Sequence, residues 1–133
     1  FFKSNKNFFD VIFIDGLHSY DQCSNDCINS MKFLNEDGII IFHDMLPRSD
    51  VEEKQDMSGD VWKVACEISK INDAKFVIAN IDQGVGILKI KRNSKYSRIP
   101  DIKEKKFSDY INYFKKNLPI VNCEEALDFI NNK

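Results

Sequence analysis

Asp10-Val-Ile-Phe-Ile14 is a short apolar run that ends at Asp15-Gly16. An unbroken run of β-branched and aromatic residues, closed by turn residues, predicts a buried strand of a parallel sheet covered on both faces. A second run of the same kind, Gly38 to Phe42, ends at His43-Asp44. The sequence therefore predicts two buried strands, each followed directly by polar side chains.

A helix is predicted between these two strands. Ser19 and Gln22 have the spacing of a capping box at its start, and Gly38 follows its predicted end near Asn35. Its buried stripe repeats at spacings of three and four residues: Tyr20, Cys23, Cys27, Met31 and Leu34. The first 44 residues thus predict a strand–helix–strand unit with a right-handed crossover.

Two further strands are predicted at residues 75–79 and 85–90. Only Asn80 to Gly84 separates them, and a parallel crossover needs a dozen or more residues, so these two strands must be antiparallel neighbours. The predicted fold class is α/β, with a half-sheet of three parallel strands plus one antiparallel last strand, flanked by helices.

The rest of the chain predicts a long loop and a helical C-terminal region. Residues 45–58 show no periodicity, and a loop of that length is typical of a lid or a substrate-contacting segment. Ser58 or Asp60 is expected to cap the helix that follows. We expect residues 1–92 to form one partial domain, and residues 93–133 to be a helical extension that packs on it.

Composition excludes several classes of protein. The 133 residues carry 43% hydrophobic and 30% charged side chains, with a net charge of −2, which is typical of a soluble globular domain. No basic block is present, so a nucleic-acid surface is not expected. The longest apolar stretches are far too short to span a bilayer, so no membrane contact is expected.

The four cysteines, Cys23, Cys27, Cys66 and Cys123, follow no disulfide or zinc-binding pattern. Cys23 and Cys27 lie one helical turn apart on the predicted buried stripe, which favours a reduced packing role over a metal or redox role. Reduced thiols in turn favour a cytoplasmic location.

Polar residues at two strand ends are the candidate site. Asp15 and His18 follow the first strand, and His43 and Asp44 follow the second. Ligands of open α/β sheets bind outside the carboxyl ends of the strands, so these four side chains are expected to reach one substrate. Carboxylates and imidazole also suit Mg or Mn, with Asp15 and Asp44 as the candidate metal ligands.

Each of these residues also has a purely structural explanation. Asp15 and Asp44 are common turn residues after strands, His18 fits a solvated loop position, and His43 fits a packed position beneath the loop. Gly84-Val85-Gly86 enters a strand rather than opening a helix, so it is not a dinucleotide phosphate cradle.

Four motifs in order resemble the C-terminal half of the catalytic domain of class I, Rossmann-like S-adenosylmethionine-dependent methyltransferases. The resemblance covers residues 8 to about 130. The motifs are Phe9-Asp-Val-Ile-Phe-Ile-Asp-Gly-Leu-His-Ser-Tyr20, Leu34-Asn-Glu-Asp-Gly-Ile-Ile-Ile-Phe-His-Asp44, Gly59-Asp-Val-Trp-Lys63 and Asp82-Gln-Gly-Val-Gly-Ile87. The resemblance implies that the complete domain has a seven-stranded sheet, and that this chain supplies its strands four to seven.

The resemblance also implies residue roles. Asp15 corresponds to a residue beside the methionine moiety of S-adenosylmethionine, or to a metal ligand, and His18 to a nearby catalytic base. Asp44 matches a second acidic position of the family and is a candidate metal ligand. We expect His43 and Asp44 to contact the methyl acceptor, a hydroxyl of a small molecule or sugar. The Gly-rich cofactor loop of that family has no counterpart in this chain, so we expect the chain to be inactive alone.

Two other functions are left open by the sequence. One is a non-catalytic α/β half-domain that self-associates, because strand 10–14 would become an unprotected apolar edge that pairs with a second copy or is covered by Phe1 to Asn7. The other is a metal-dependent hydrolase that uses the same four polar residues at the strand ends.

Overall fold

Five strands form one mixed sheet, in the order β1-β2-β4-β3-β5, in the computed structural model, which describes residues 1–132. The strands are β1 Phe9–Ile14, β2 Leu34–Phe42, β3 Lys75–Ala79, β4 Val85–Lys89 and β5 Ile120–Val121. The α-helices are α1 Tyr20–Met31, α2 Trp62–Ile68, α3 Phe107–Asp109 and α4 Cys123–Asn131. The α/β class is therefore confirmed.

The predicted sheet needs a correction. β1 and β2 are parallel, and β4 is antiparallel to both of its neighbours, as the short connection from β3 requires. However, β4 is not an appended last strand, because it lies inside the sheet between β2 and β3. A fifth strand, β5, pairs in parallel with β3 at the far edge, and its two residues are too few to show a periodic pattern.

Two helix predictions also change. α1 ends at Met31 rather than near Asn35, because Leu34 already pairs with Phe9 as the first residue of β2. Neither Ser58 nor Asp60 caps α2 with its side chain. The Asp60 carboxylate instead accepts a hydrogen bond from the Tyr20 N–H, 2.7 Å away, at the start of α1.

Ser19 caps α1 as the sequence predicts, because its side chain accepts a hydrogen bond from the Gln22 N–H. At the start of α4, Asn122 and Glu125 form a reciprocal capping box. The predicted helical extension contains three short helical pieces in succession: α3, a π-helix at Tyr110–Phe114 and a 3₁₀-helix at Lys115–Asn117.

The sheet packs on both faces, but unequally. The main core lies on the side of α1 and α2, where its largest buried side chains include Trp62, Tyr110 and Phe42. A smaller cluster on the other face joins Ala79 and Ile87 to Ala126 of α4. Successive strand residues point to opposite faces, which explains why Ile87 and Leu88 belong to different clusters.

A buried carboxylate fastens the segment after β4 to this core. Glu67 of α2 is fully buried and accepts hydrogen bonds from the hydroxyls of Tyr20 and Tyr96, at 2.8 and 2.7 Å. It also accepts from the Ile99 N–H, at 3.0 Å. Arg98 lies 3.6 Å from the carboxylate and supplies a positive charge. The Glu67 side chain therefore joins α1 and α2 to the connector that follows β4.

Cys23 and Cys27 are buried and free at their predicted core positions. Cys66 is also buried and free, whereas the free thiol of Cys123 is exposed. Among residues 1–132, no helix has both the length and the apolar character needed to cross a membrane.

Candidate functional site

The four predicted site residues meet at the carboxyl ends of β1 and β2. These strands are parallel neighbours, with Ile14 paired to Phe42, so the residues that follow them emerge side by side. The His43 N–H donates to the Ile14 carbonyl oxygen and extends this pairing by one residue. The structure thus brings Asp15, His18, His43 and Asp44 together, as the sequence predicts.

Asp44 is the centre of the cluster. It is 3% exposed, and its two carboxylate oxygens contact different imidazoles. Oδ2 lies 3.1 Å from His18 Nε2, and Oδ1 lies 3.1 Å from His43 Nδ1. A buried carboxylate requires such partners, and here both oxygens have one.

The backbone at Asp44 explains how one residue reaches both histidines. Its φ is +63°, in the left-handed region that aspartate tolerates better than most residues. This conformation ends β2 abruptly and turns the side chain back across the strand end. The choice of aspartate at this position is therefore consistent with both its backbone and its contacts.

Asp15 lies at the open side of the same cluster. Its Oδ1 atom is 3.5 Å from His18 Nε2 and 3.8 Å from His43 Nδ1, and its side chain is more than a third exposed. Asp15 is thus near both imidazoles, but Asp44 is closer to each of them. An exposed carboxylate in this position is available to a ligand.

A fifth residue, Asp82, was not among the predicted site residues. Its Oδ2 atom lies 2.9 Å from His43 Nε2, and its side chain is largely exposed. Asp82 follows β3 in the turn that leads to β4. Because β4 pairs with β2, with Gly86 opposite Phe42, this turn lies beside the end of β2. Two signals in the sequence point to Asp82: it follows a predicted strand, and it is the first residue of the motif Asp82-Gln-Gly-Val-Gly-Ile87.

The two carboxylates on His43 favour its charged form. Burial lowers the pKa of His43, but the hydrogen bonds to Asp82 and Asp44 raise the pKa by more, so it stands above its ordinary value. A protonated imidazole has an N–H on each ring nitrogen, and each N–H here faces a carboxylate. A protonated His43 thus places a positive charge beside Asp44.

His18 has a different environment. Its Nε2 atom contacts Asp44, whereas Nδ1 has no hydrogen-bond partner within residues 1–132. If Nε2–H donates to Asp44, the Nδ1 lone pair is left free to accept a proton. Of the two histidines, His18 is therefore the one with an available basic nitrogen.

The loop before α2 holds His18 in place. Gly59 has a φ of +63°, and a Cβ at this position would lie 1.7 Å from the carbonyl oxygen of His18. Only glycine permits this approach. The neighbouring Asp60 accepts the Tyr20 N–H, so the chain on both sides of Ser19 is fixed from the same loop.

The beginning of the predicted lid is also attached to the sheet. The N–H groups of Met45 and Leu46 donate to the carbonyl oxygens of Gly84 and Gln83, at 3.1 and 2.7 Å. Both of these donor residues are buried. The loop is therefore anchored at its start by the β3–β4 turn and at its end by the contact of Gly59 with His18.

The donor set is suited to a divalent cation. Asp15, His43 and Asp44 each offer one ligand atom, and these atoms all lie within 4.8 Å of one another. The two carboxylates match the ligand preferences of Mg and Mn, whereas an imidazole is a more usual ligand of Zn, Cu, Fe or Ni. However, each oxygen of Asp44 already contacts an imidazole, so ion binding would have to replace at least one of those contacts.

Comparison with known proteins bears on the first third of the chain. A search of curated proteins gave no match. The model of one protein family does match, and the matched segment includes β1, α1, β2 and all four of the predicted site residues. Residues 1–45 match the model of a protein family described as a methyltransferase domain.

Proposed function

We propose that this chain is part of an S-adenosylmethionine-dependent methyltransferase that acts on a hydroxyl group of a small molecule or sugar. The observation that carries the proposal is the cluster of Asp15, His18 and Asp44 at the carboxyl edge of the sheet, inside the segment that matches the methyltransferase model. In open α/β folds this edge is where ligands bind.

The exposed carboxylate of Asp15 fits the methionine end of S-adenosylmethionine, which carries an ammonium group and a sulfonium charge. Opposite charges attract each other more strongly where solvent is partly excluded. Asp15 lies beside the same two imidazoles as the buried Asp44, at the edge of such a region. The Gly-rich loop that binds the cofactor in the family resembled has no counterpart in this chain, so we expect weak binding by the chain alone.

His18 is proposed as the general base. A hydroxyl is a poor nucleophile until its proton is removed, and the free Nδ1 of His18 is available to accept that proton. Asp44 accepts from Nε2–H, fixes this tautomer and stabilises the imidazolium that forms. The cofactor, when bound, supplies an electrophilic methyl group on a cationic sulfur, and the protein's task is alignment.

Divalent-metal dependence is a second part of the proposal. Asp15 and Asp44 would hold Mg or Mn, with His43 as a third donor in its neutral form, and the ion would lower the pKa of the acceptor hydroxyl. Mn²⁺ titration of the isotope-labelled chain tests this, since a bound paramagnetic ion broadens nearby amide signals. We expect broadening at Asp15 and Asp44 that Asp44→Asn removes; uniform weak broadening over exposed carboxylates would contradict a specific site.

Ligand-observed saturation-transfer NMR tests cofactor binding at weak affinity. We expect a signal from S-adenosylmethionine with the unmodified chain, and a loss of most of that signal with Asp15→Asn. Asp56→Asn is the matched control, because Asp56 is an exposed carboxylate in the loop and takes part in no ion pair within residues 1–132. Equal signals from all three proteins would contradict the role of Asp15.

A non-catalytic half-domain is the second candidate function, and one observation favours it. β1 lies at an edge of the sheet and carries exposed apolar side chains. A chain that self-associates through this strand and shows no saturation-transfer signal would support this candidate over the methyltransferase.

A further inference from the structure

A positively charged segment precedes β5. Residues 105–117 contain four lysines and one aspartate, a net charge of +3, whereas the whole chain has a net charge of −2. The lysines are Lys105, Lys106, Lys115 and Lys116. None of them forms an ion pair with a carboxylate of residues 1–132, where the paired basic side chains belong to other positions. The one aspartate, Asp109, accepts a hydrogen bond from the Lys106 N–H at the start of α3.

Two apolar side chains of the same segment are exposed. Ile111 is 45% exposed and Tyr113 is 64% exposed. Ile111 lies four residues before Lys115, and Tyr113 lies three residues before Lys116. Residues three and four apart are neighbours on a helical surface. Each exposed apolar side chain therefore has a lysine beside it.

The inner side of the segment is fixed to α2 by aromatic rings. Tyr110 is fully buried, and its ring centroid lies 4.9 Å from that of Trp62. The ring of Phe114 lies 5.7 Å from that of Trp62. With Tyr110 and Phe114 held inward, the residues between them face outward, so the exposure of Ile111 and Tyr113 follows from this packing.

The backbone of the exposed stretch is unusual. Residues 110–114 form a π-helix, a rare conformation that is frequently found at functional sites. It places Ile111, Asn112 and Tyr113 together between the two inward rings. The apolar part of the surface is thus a compact group, with lysines before it and after it along the chain.

The segment lies away from β1. It continues through Pro119 into β5, and the Pro119 carbonyl oxygen accepts from the Ile78 N–H of β3. β5 is at the opposite edge of the sheet from β1. Strands added beside β1 would therefore not cover this surface.

We propose that residues 105–117 bind the surface of a membrane that contains anionic lipids. A lysine side chain lays its aliphatic stem along apolar surface and keeps its ammonium group in the polar layer, where lipid phosphates lie. Tyr113 has an apolar ring and a polar hydroxyl, a combination suited to the boundary between lipid and water. Ile111 adds an aliphatic side chain that enters the outer part of the acyl layer.

Such contact requires no spanning helix. The expectation that the chain makes no membrane contact rests on the length of its apolar stretches, and a peripheral surface needs only exposed apolar side chains with basic neighbours. Two apolar side chains are few, so attraction between the lysines and anionic lipids is also required. Binding is therefore reversible and weakens as salt screens the charges.

The combination of apolar and basic side chains favours lipid over other anionic partners. RNA attracts lysines through its phosphates, but a phosphate backbone gives Ile111 no apolar layer to enter. A second copy of this segment would bring a charge of +3 against the same charge. This inference is independent of the methyltransferase proposal, because it uses neither the polar cluster nor a bound cofactor.

Co-sedimentation of the chain with lipid vesicles tests the proposal. We expect binding to vesicles of equal parts phosphatidylcholine and phosphatidylserine, and little binding to vesicles of phosphatidylcholine alone or at raised salt. Lys115→Gln combined with Lys116→Gln should weaken binding roughly tenfold or more, because each lysine contributes separately to the attraction. Ile111→Ser should weaken it about threefold or more, since an aliphatic side chain no longer enters the lipid.

The matched controls change the same residue types elsewhere. Lys3→Gln combined with Lys6→Gln removes two exposed lysines that precede β1, and Leu127→Ser removes an exposed apolar side chain of α4, on the other face of the sheet. Both should bind the vesicles like the unmodified chain. Because every substituted residue is exposed, the urea midpoint of each variant should stay unchanged.

Three results would overturn the proposal. One is the absence of binding to the mixed vesicles. Another is binding that the two control variants weaken as much as the Lys115 and Lys116 variant does. The third is binding that depends on the lysines but not on Ile111 and is matched by binding to polyuridylate RNA, which would identify a surface for polyanions in general.

Discussion

The Asp82 carboxylate lies 2.9 Å from Nε2 of His43, a residue 39 positions earlier in the chain. This contact joins the β3–β4 turn to the end of β2 and completes a series in which carboxylates and imidazoles alternate: Asp82, His43, Asp44 and His18. The raised pKa of His43 therefore depends on a residue from outside the segment that matches the methyltransferase model.

Asp82→Asn is expected to lower the pKa of His43, because a carboxylate that favours the imidazolium is replaced by a neutral amide. Imidazole signals in an NMR pH titration measure this directly. Asp56→Asn is the control and should leave the titration unchanged. An unchanged His43 pKa in Asp82→Asn would show that this contact does not exist in solution.

The same pKa shift predicts how stability depends on pH. The folded-state pKa of His43 lies above its ordinary value of 6.5, so its protonated form is stabilised by folding. This contribution is fully present below about pH 6.5 and is lost as the pH rises through the folded-state pKa. In urea unfolding, Asp82→Asn should therefore destabilise the chain more at pH 5.5 than at pH 8.5; an equal loss at both values would contradict the account.

Gly59→Ala is expected to destabilise the chain by about 3 kcal/mol, since a Cβ cannot occupy space 1.7 Å from the His18 carbonyl oxygen and the φ is positive. Gly16→Ala is the matched control, because the nearest atom to its Cβ would be 3.8 Å away. Urea unfolding of both variants measures the difference. A similar small loss in the free energy of unfolding for both variants would mean that the loop does not hold His18 as described.

Glu67→Ala is expected to cost about 3 kcal/mol or more in the free energy of unfolding. It leaves the hydroxyls of Tyr20 and Tyr96 and the Ile99 N–H without their acceptor in the core. Glu104→Ala, at an exposed position in the same connector, should cost little. Equal costs would show that the connector is not fastened by Glu67.

The thiols should differ sharply in reactivity. Burial raises the pKa of Cys27 and Cys66 to about 12 and raises that of Cys23 well above its ordinary value, whereas Cys123 is exposed. Because the thiolate is the reactive form, mild alkylation at neutral pH should modify Cys123 alone until the chain unfolds. Mass spectrometry of the alkylated chain counts the modified sites, and rapid modification of Cys27 would contradict the packed position of α1.

The sequence predicts most of the sheet because its strands are short apolar runs with clear ends. The run that ends at Ile14 and the run that ends at Phe42 are each followed by two of the site residues. Parallel pairing then brings Asp15 and Asp44 together. This part of the site follows from patterns along the chain and from one general property of α/β sheets.

The predictions that the structure corrects all depend on contacts between residues far apart in the sequence. Asp82 can be placed beside His43 only once β4 is known to lie beside β2. Asp60 has the spacing of a cap for α2, yet it accepts the Tyr20 N–H of α1 instead. The end of α1 was misplaced because Leu34 fits the helical stripe equally well and joins β2 only through its pairing with Phe9.

Chemical-shift mapping of S-adenosylmethionine on the isotope-labelled chain is the most direct test of the methyltransferase account. The account predicts that the largest shifts fall on the amides of Asp15 to His18 and of His43 and Asp44, and that Asp15→Asn reduces them. Shifts confined to other parts of the sheet, or none at saturating ligand, would contradict the assignment of this cluster as the cofactor and acceptor site.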